Sequence, residues 1–215
     1  MPLVLQYNDG VAEVLVWRIS EPVELLSQMV PADCAAYARD NFVSVERCSQ
    51  WLAVRAILRQ RFGDGVRVVY DGNGKPSLNG CYENISISHT KGYAVLVVSQ
   101  GGEVGVDAEL LSRDVLAVAR RFMPLKQLDA YRPAERNFVA LVNWCAREAL
   151  FKITGDLGGN FKENISVAPF EPLDKGRVKL SLVGLDDCAD VDFLAAYRLY
   201  GDLLILLCRR CRDVG

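Results

Sequence analysis

The sequence predicts an α+β fold built from two similar lobes. The chain has 215 residues, of which 51% are hydrophobic and 24% charged, as in an ordinary globular protein. In each half a long helical segment is followed by short strands, and no linker rich in Pro, Gly or Ser separates the halves. We therefore expect lobes at residues 1–102 and 103–215, packed on a common interface where ligand clefts often form.

The first lobe is predicted to contain one long helix among several strands. Val11–Ile19 alternates loosely between apolar and polar residues, as a strand does, whereas Glu21–Asp40 has helical character. Ser44–Phe62 has close to helical apolar spacing, a serine that can cap it and Gly63 to stop it, which predicts a helix of about five turns. Short apolar runs bounded by turn-forming residues predict the remaining strands of this lobe, Val66–Tyr70, Asn84–Ser88 and Tyr93–Ser99, and a strand at Glu103–Asp107, where the second lobe begins.

The second lobe repeats this order of helices followed by strands. Helices are predicted at Ser112–Met123 and at Pro133–Thr154, the second ending at Gly155. Apolar and β-branched runs predict strands near Ile165–Val167, Val178–Leu182 and Leu194–Leu207.

Charge and cysteine content limit the classes of function. The net charge is −2, so no bulk positive field is available to hold nucleic acid or an anionic membrane. The seven cysteines lack the paired spacing of a zinc site, and we expect reduced thiols in a cytoplasmic protein. The first cation is Arg18, and the longest uncharged run is about half the length of a membrane span. We therefore expect neither a signal peptide nor a membrane helix.

Two acids follow each other at strand spacing in Val104-Gly105-Val106-Asp107-Ala108-Glu109. On an extended segment, residues i and i+2 project to the same side, so Asp107 and Glu109 would converge on one point. Magnesium takes one or two protein carboxylates and completes its octahedron with water and phosphate oxygens. The alternative is a strand that ends in solvent with two exposed acids.

Glu148 and Lys152 lie four residues apart on the predicted long helix and share one face with Trp144. An ordinary surface ion pair would have this spacing, and it would contribute roughly 0.3–0.5 kcal/mol. Aromatic and small residues surround the two charges, however, which suggests a helix packed on most sides where a charge needs a partner.

His89 is the single histidine of the chain, and it follows the alternating strand Asn84–Ser88. Such a histidine is often no more than a surface or core residue. Neighbouring hydroxyls and Lys91 also make an anion site chemically reasonable, and other cations of the first lobe could extend it. Those cations are Arg47, Arg55 and Lys75.

Four segments together resemble the 4'-phosphopantetheinyl transferases of the two-lobed, surfactin-synthetase-activating type. The segments are Gly74-Lys75-Pro76, Ser88-His89-Thr90, Gly105 to Glu109 and Trp144 to Lys152. The resemblance implies a pseudo-dimer of two α+β halves, with coenzyme A bound at their junction. It implies transfer of phosphopantetheine from coenzyme A to a serine of an apo acyl or peptidyl carrier protein, with release of 3',5'-adenosine bisphosphate. We also expect a monomer.

The resemblance also implies a role for each matching residue. Asp107, Glu109 and Glu148 would hold Mg²⁺ against the coenzyme A pyrophosphate, and Lys152 would neutralise the phosphate under attack. Glu148 would accept the proton of the serine, directly or through a water. The remaining positions would contact the donor: Ser88 and His89 at its phosphates, Lys75 and Pro76 at the adenine, and Arg47 at the 3'-phosphate.

Some positions depart from the family pattern. Arg147 stands where a lysine usually precedes the glutamate, and Pro124 to Gln127 lack a glutamate that is commonly found there. The lysine pair often seen in the first lobe has no clear counterpart between Glu21 and Asp40. A non-catalytic carrier-binding homologue is therefore the alternative, and another magnesium-dependent nucleotide enzyme is a third.

A basic surface for an acidic carrier is a further expectation. Its candidate residues follow the two acids: Arg113, Arg120, Arg121 and Lys126. A mixed, solvated helix would have the same composition.

Overall fold

The structure, a computed structural model, describes residues 3–155, 164–182 and 191–211. The chain divides into two compact units, Met1–Gly102 and Glu103–Gly215, here called unit 1 and unit 2. Each unit contains an antiparallel sheet with one long helix packed on it. The α+β class predicted from the sequence is therefore confirmed.

Unit 1 is built on a four-stranded antiparallel sheet with the order β1-β2-β6-β5. Its strands are β1 (Leu3–Asn8), β2 (Ala12–Arg18), β5 (Asn84–Thr90) and β6 (Tyr93–Ser99). A separate hairpin pairs β3 (Val68–Tyr70) with β4 (Pro76–Leu78). Strand β1 was not predicted, because no turn-forming segment marks the beginning of its short apolar run.

Three helices complete unit 1: α1 (Val23–Gln28), α2 (Ala32–Asn41) and α3 (Val45–Phe62). The predicted long helix is confirmed at α3. Ser44 caps it by accepting a hydrogen bond from the backbone N–H of Arg47, and Gly63 ends it with a φ of 82°. One face of α3 packs on β2 and β6, where Leu52 and Ile57 meet Leu96 in the core. None of the helices that the structure describes has the length and hydrophobicity needed to cross a membrane.

Unit 2 is built on a five-stranded antiparallel sheet with the order β7-β11-β10-β9-β8. Its strands are β7 (Val104–Leu110), β8 (Ile165–Val167), β9 (Lys175–Leu182), β10 (Val191–Tyr200) and β11 (Leu203–Arg210). The long helix α4 (Arg136–Thr154) packs on β7 and β11 and ends at Gly155, as its sequence predicted.

Two predicted elements of unit 2 differ from the structure, one in the type of helix and the other in the number of strands. The helix expected at Ser112–Met123 is a 3-10 helix over Leu116–Arg121, and two more follow at Leu125–Ala130 and Pro133–Glu135. Pro124 ends the first segment early, and the few residues left before it are too short for a stable α-helix.

The strand expected at Leu194–Leu207 is a hairpin of β10 and β11. The chain reverses between Tyr200 and Leu203, which pair with each other across the turn. Gly201 has a φ of 58°, a conformation that glycine adopts without steric cost, and the two-residue loop suits a hairpin.

Strand β7 approaches α4 more closely than a side chain would allow. A Cβ atom added to Gly105 would lie 1.8 Å from the carbonyl oxygen of Ala149. Because this neighbour is backbone, it cannot rotate aside. Glycine at position 105 and alanine at position 149 therefore set the distance between the helix and the strand.

Gly105→Ala is expected to lower the free energy of unfolding by about 1–3 kcal/mol, because the added methyl group forces α4 away from β7. Urea unfolding of both proteins measures the difference. Gly65→Ala is the matched control, since a Cβ there meets nothing within 4 Å. Equal midpoints for Gly105→Ala and the control would contradict the close approach.

Candidate functional site

The close approach of β7 to α4 directs the two acids of β7 towards the helix. Residues 105, 107 and 109 share one face of the strand, and Gly105 meets the backbone of α4 on that face. Asp107 is buried, and the side chain of Glu109 is 13% exposed. Burial first, and then the negative charge of Asp107, raise the pKa of the Cys145 thiol on α4. Asp107 therefore faces the helix rather than solvent.

Lys152 links the last turns of α4 to this part of β7. Its Nζ atom donates to Asp107 Oδ1 at 3.0 Å and to the carbonyl oxygen of Val106 at 2.7 Å. The lysine side chain is 27% exposed, so the pair is partly shielded from water. The ammonium group is thus held in one place by two acceptors on the strand.

Glu148 lies one turn before Lys152 on α4 and is half-buried. Burial raises the pKa of its carboxyl above the ordinary value, and the negative charge of Asp107 raises it further. The positive charges of Lys152 and Arg113 act in the opposite direction. Glu148 is therefore within electrostatic range of the acid and the two cations.

Arg113 is part of the same group, which the sequence analysis did not foresee. It donates to Glu109 Oε1 in an i,i+4 ion pair, and its guanidinium carbon lies 5.1 Å from the centre of the Trp144 ring. Trp144 in turn meets Phe122 edge-on. The four-residue spacing of Glu109 and Arg113 could have predicted this ion pair, whereas the sequence analysis places Arg113 on the surface for the carrier.

These five charged residues of unit 2 are here called the acid cluster: Asp107, Glu109, Arg113, Glu148 and Lys152. Within the described parts of the chain, no three His, Cys, Asp or Glu side chains stand close enough to form a ready-made metal cage. Two of the three predicted metal ligands are ion-paired with cationic side chains instead. The cluster therefore unites the predicted acids and Lys152, with the charge of the acids largely balanced.

The other predicted site residues belong to unit 1. Arg47 is exposed in the first turn of α3, and Gln50, three residues later, donates to the carbonyl oxygen of Thr90 at 3.3 Å. This bond places the start of α3 against the end of β5, where Ser88 is buried and His89 is exposed.

Lys75 and Pro76 lie in the hairpin of unit 1. The backbone N–H of Lys75 donates to Asp71 Oδ1 at 2.8 Å, and Pro76 opens β4 opposite Tyr70. The hairpin is attached to α3, because Arg55 donates to the hydroxyl of Tyr70. Helix α3 therefore contacts both the hairpin and the end of β5.

Residues 103–208, which contain the whole acid cluster, match the family model of the 4'-phosphopantetheinyl transferase superfamily. Unit 2 of the chain belongs to this superfamily. Its predicted enzyme class, 4'-phosphopantetheinyl transferase, is confirmed, whereas the surfactin-synthetase-activating subtype stays a prediction.

Two relatives carry the same enzyme name. The 4'-phosphopantetheinyl transferase AcpT of Salmonella typhimurium is 26% identical over 155 residues, which are 68% of this chain and 79% of the relative. The protein of the same name from Salmonella typhi is 28% identical over 156 residues, with the same shares of both chains.

Arg147, the departure from the transferase pattern, has no part in the acid cluster. It is buried, and it donates to Asn143 Oδ1 at 2.9 Å, to the Asn143 carbonyl and to the Ile165 carbonyl of β8. Burial lowers the pKa of its guanidinium to about 10. Its partners among the described residues are carbonyl oxygens of the core. The arginine that replaces the usual lysine therefore links α4 to β8.

The raised pKa of Glu148 predicts a pH-dependent gain in stability for Glu148→Gln. The folded state holds the proton of Glu148 more tightly than the unfolded chain does. Protonation therefore stabilises the wild type at low pH, and this stabilisation is lost as the pH rises through the folded-state pKa. We expect Glu148→Gln to have a higher Tm than the wild type at pH 8 in EDTA. The difference should vanish below the ordinary pKa of 4.5.

Thermal unfolding followed by circular dichroism from pH 4 to pH 8 measures this difference. Glu171→Gln, the same change at an exposed position of unit 2, should leave Tm unchanged at both ends of the range. A Glu148→Gln protein that is less stable than the wild type at pH 8 would show that the neighbouring cations outweigh burial.

Proposed function

We propose that the enzyme transfers 4'-phosphopantetheine from coenzyme A to a serine of an apo acyl or peptidyl carrier protein, with Mg²⁺ as its cofactor. The ion pair between Lys152 and Asp107, with Glu148 within electrostatic range, is the observation that carries this proposal. In phosphoryl transfer, the enzyme contributes chiefly by positioning the reactants and by neutralising charge. A fixed ammonium group among carboxylates suits both tasks.

The donor set of the acid cluster fits Mg²⁺, which prefers carboxylate oxygens. Asp107, Glu109 and Glu148 would hold the ion. When bound, Mg²⁺ would neutralise charge on the pyrophosphate of the donor. Binding would require Asp107 and Glu109 to exchange some of their present contacts with Lys152 and Arg113 for contacts with the ion.

Lys152 would neutralise the phosphate that the serine attacks. Its ammonium group also donates to the carbonyl of Val106, so this bond would still position it when Asp107 turns to the ion. Lysine also suits this position because a compact ammonium can follow a moving phosphate oxygen.

Glu148 would accept the proton of the attacking serine, directly or through a water. A carboxyl with a raised pKa is a stronger base than an ordinary one, and burial and Asp107 raise the pKa of Glu148. The group remains half-exposed, which leaves access for a hydroxyl.

The donor would be recognised by residues of unit 1. Ser88 and His89 would contact its phosphates, Lys75 and Pro76 would contact the adenine, and Arg47 would contact the 3'-phosphate. Support comes from α3, which contacts both the end of β5 and the hairpin that carries Lys75.

A non-catalytic carrier-binding protein is the competing function. The two features that favoured it were Arg147 and the absence of a glutamate at residues 124–127. Because Arg147 bonds to the core rather than to the acid cluster, the first feature no longer counts against catalysis. Activity is therefore the stronger proposal.

Incubation of the enzyme with coenzyme A, Mg²⁺ and an apo carrier should add about 340 Da to the carrier, the mass of the transferred group. Asp107→Ala and Glu148→Ala should each lower the rate by about 100-fold or more, because each removes charge or base function at the reacting phosphate. Mass spectrometry measures the transfer, and circular dichroism checks folding.

Glu171→Ala, at an exposed acid of unit 2 outside the 3-10 segment, is the control and should keep the wild-type rate. Near-normal turnover by Glu148→Ala would remove the proposed base. No mass shift with any of several wild-type reactions, each with a different apo carrier, would favour the binding protein.

The surface for the carrier would be the 3-10 segment of unit 2. Arg120, Arg121 and Lys126 are exposed there, next to the partly exposed Leu116 and Leu125. Arg113 does not belong to this surface, because it pairs with Glu109. Exposed cations beside apolar side chains suit an acidic amphipathic partner.

Charge reversal at Arg120 and Arg121 is expected to raise the KM for the carrier by about fivefold or more, since the surface would then repel an acidic partner. The KM for coenzyme A should not change. Steady-state kinetics with each substrate varied measures both constants, with Arg39→Glu in unit 1 as the control. An unchanged carrier KM would exclude this surface from carrier binding.

A further inference from the structure

A cavity of about 460 Å³ lies within unit 1, between α2, α3 and the stretch that leads into β3. Aromatic and cationic side chains line it together: Tyr37, Trp51, Tyr70, Arg55, Arg59 and Arg67. None of the five residues of unit 1 that are predicted to contact coenzyme A is part of this lining. The cavity nevertheless adjoins the hairpin of Lys75, because its wall residue Tyr70 pairs with Pro76.

Two of the three arginines in the cavity are neutralised by aspartates. Arg67 makes two bonds of 2.9 Å to the carboxylate of Asp33, an acid that also lines the cavity, and Arg59 is ion-paired with Asp64. Their charges are therefore already balanced by partners on the protein.

Arg55 is different, because its partners among the described residues are all neutral. It donates to the hydroxyl of Tyr70 at 3.2 Å and to the carbonyl of Trp51 at 3.5 Å, and its guanidinium carbon lies 3.8 Å from the centre of the Trp51 ring. Arg55 is only 7% exposed. A cation taken out of water without an anion is costly, so this position favours an anionic ligand.

Arg147 and Arg55 are both buried arginines of long helices, but their surroundings differ. Arg147 is packed in the core and donates three hydrogen bonds to carbonyl oxygens. Arg55 has two long hydrogen bonds and faces a cavity that can hold a small molecule. Arg55 lines that space, and its five N–H donors exceed the two hydrogen bonds that it makes with described residues.

We propose that this cavity binds a planar aromatic ring that carries a phosphate group, with Arg55 as the ligand of the phosphate. A guanidinium fork matches phosphate oxygens in pairs. Tyr37 and Tyr70 are each about half-exposed, and Tyr37 is already stacked on Trp51 with ring centres 5.2 Å apart. Exposed aromatic faces of this kind hold planar rings by stacking.

Two sources could supply this chemistry. One is the adenosine bisphosphate part of the donor. This source rests on the proposed function, and it would place the ring and a phosphate at Arg55 instead of at Lys75, Pro76 and Arg47. The other is a separate aryl phosphate or nucleotide that regulates the enzyme. Both sources require the same cavity and the same arginine, and they differ in whether the ligand competes with coenzyme A.

Isothermal titration in EDTA tests the cavity without the metal-dependent chemistry of unit 2. The probes are adenosine 3',5'-bisphosphate, phenyl phosphate, adenosine and inorganic phosphate. We expect at least one of the two probes that combine ring and phosphate to bind at least about tenfold more tightly than adenosine or inorganic phosphate alone. Arg55→Met should weaken that binding by about tenfold or more, because it removes a charge-assisted hydrogen bond.

Arg39→Met is the matched control, since that arginine is 74% exposed and lies outside the cavity. It should leave binding unchanged. If Arg55→Met does not fold, Tyr37→Ala serves instead and should weaken binding of the same probe by about fivefold or more through lost stacking. Wild-type affinity of a folded Arg55→Met protein for that probe would overturn the proposal, as would failure of both ring phosphates to bind.

The transfer assay with wild-type enzyme separates this proposal from the proposed function. If transfer occurs and Arg55→Met raises the KM for coenzyme A by about tenfold, the donor occupies the cavity. If that KM is unchanged although the Arg55-dependent probe still binds, the cavity takes a separate phosphate. Absence of transfer with Arg55-dependent binding intact would refute the proposed function and leave the cavity site standing.

Discussion

The close contact between the backbone of α4 and Gly105 of β7 is the constraint on which the acid cluster depends. Because no side chain stands between helix and strand at this point, the next residues on the same face of β7 come within reach of α4. Lys152 can then bond to both Asp107 and the Val106 carbonyl. A wider separation would leave the buried Asp107 without the cation that now neutralises it, at a cost greater than that of the pair.

The charge balance of the cluster explains how three acids can be held so close together. Repulsion between carboxylates raises their pKa values, and Glu148 shows this effect from Asp107. Lys152 and Arg113 counter this effect at Glu148, and each of them is also ion-paired with one acid of β7. Under the proposed function, Mg²⁺ would replace part of the charge that these internal cations now supply.

Local signals predicted the elements that carry them, and long-range contacts accounted for the rest. Helix α3 was predictable because Ser44 and Gly63 mark its ends, and β6 because its apolar run is bounded by turns. The hairpin turn at Gly201 was missed because apolar residues flank it on both sides. Residue spacing and the family resemblance predicted that four charged side chains would lie near one another: Asp107, Glu109, Glu148 and Lys152. The position of Arg113 beside them depends on the fold of the chain after β7.

Arg147 and Arg55 show that burial alone does not define the role of a charged residue. The buried guanidinium of Arg147 donates to carbonyl oxygens of the core through its two terminal nitrogens, and its lowered pKa reflects the cost of keeping the charge there. A buried guanidinium beside an open cavity has donors that a ligand can still occupy. Sequence alone cannot separate these cases, because both arginines lie within helices among apolar neighbours. The distinction comes from what each helix faces: a filled core beside α4 and unfilled space beside α3.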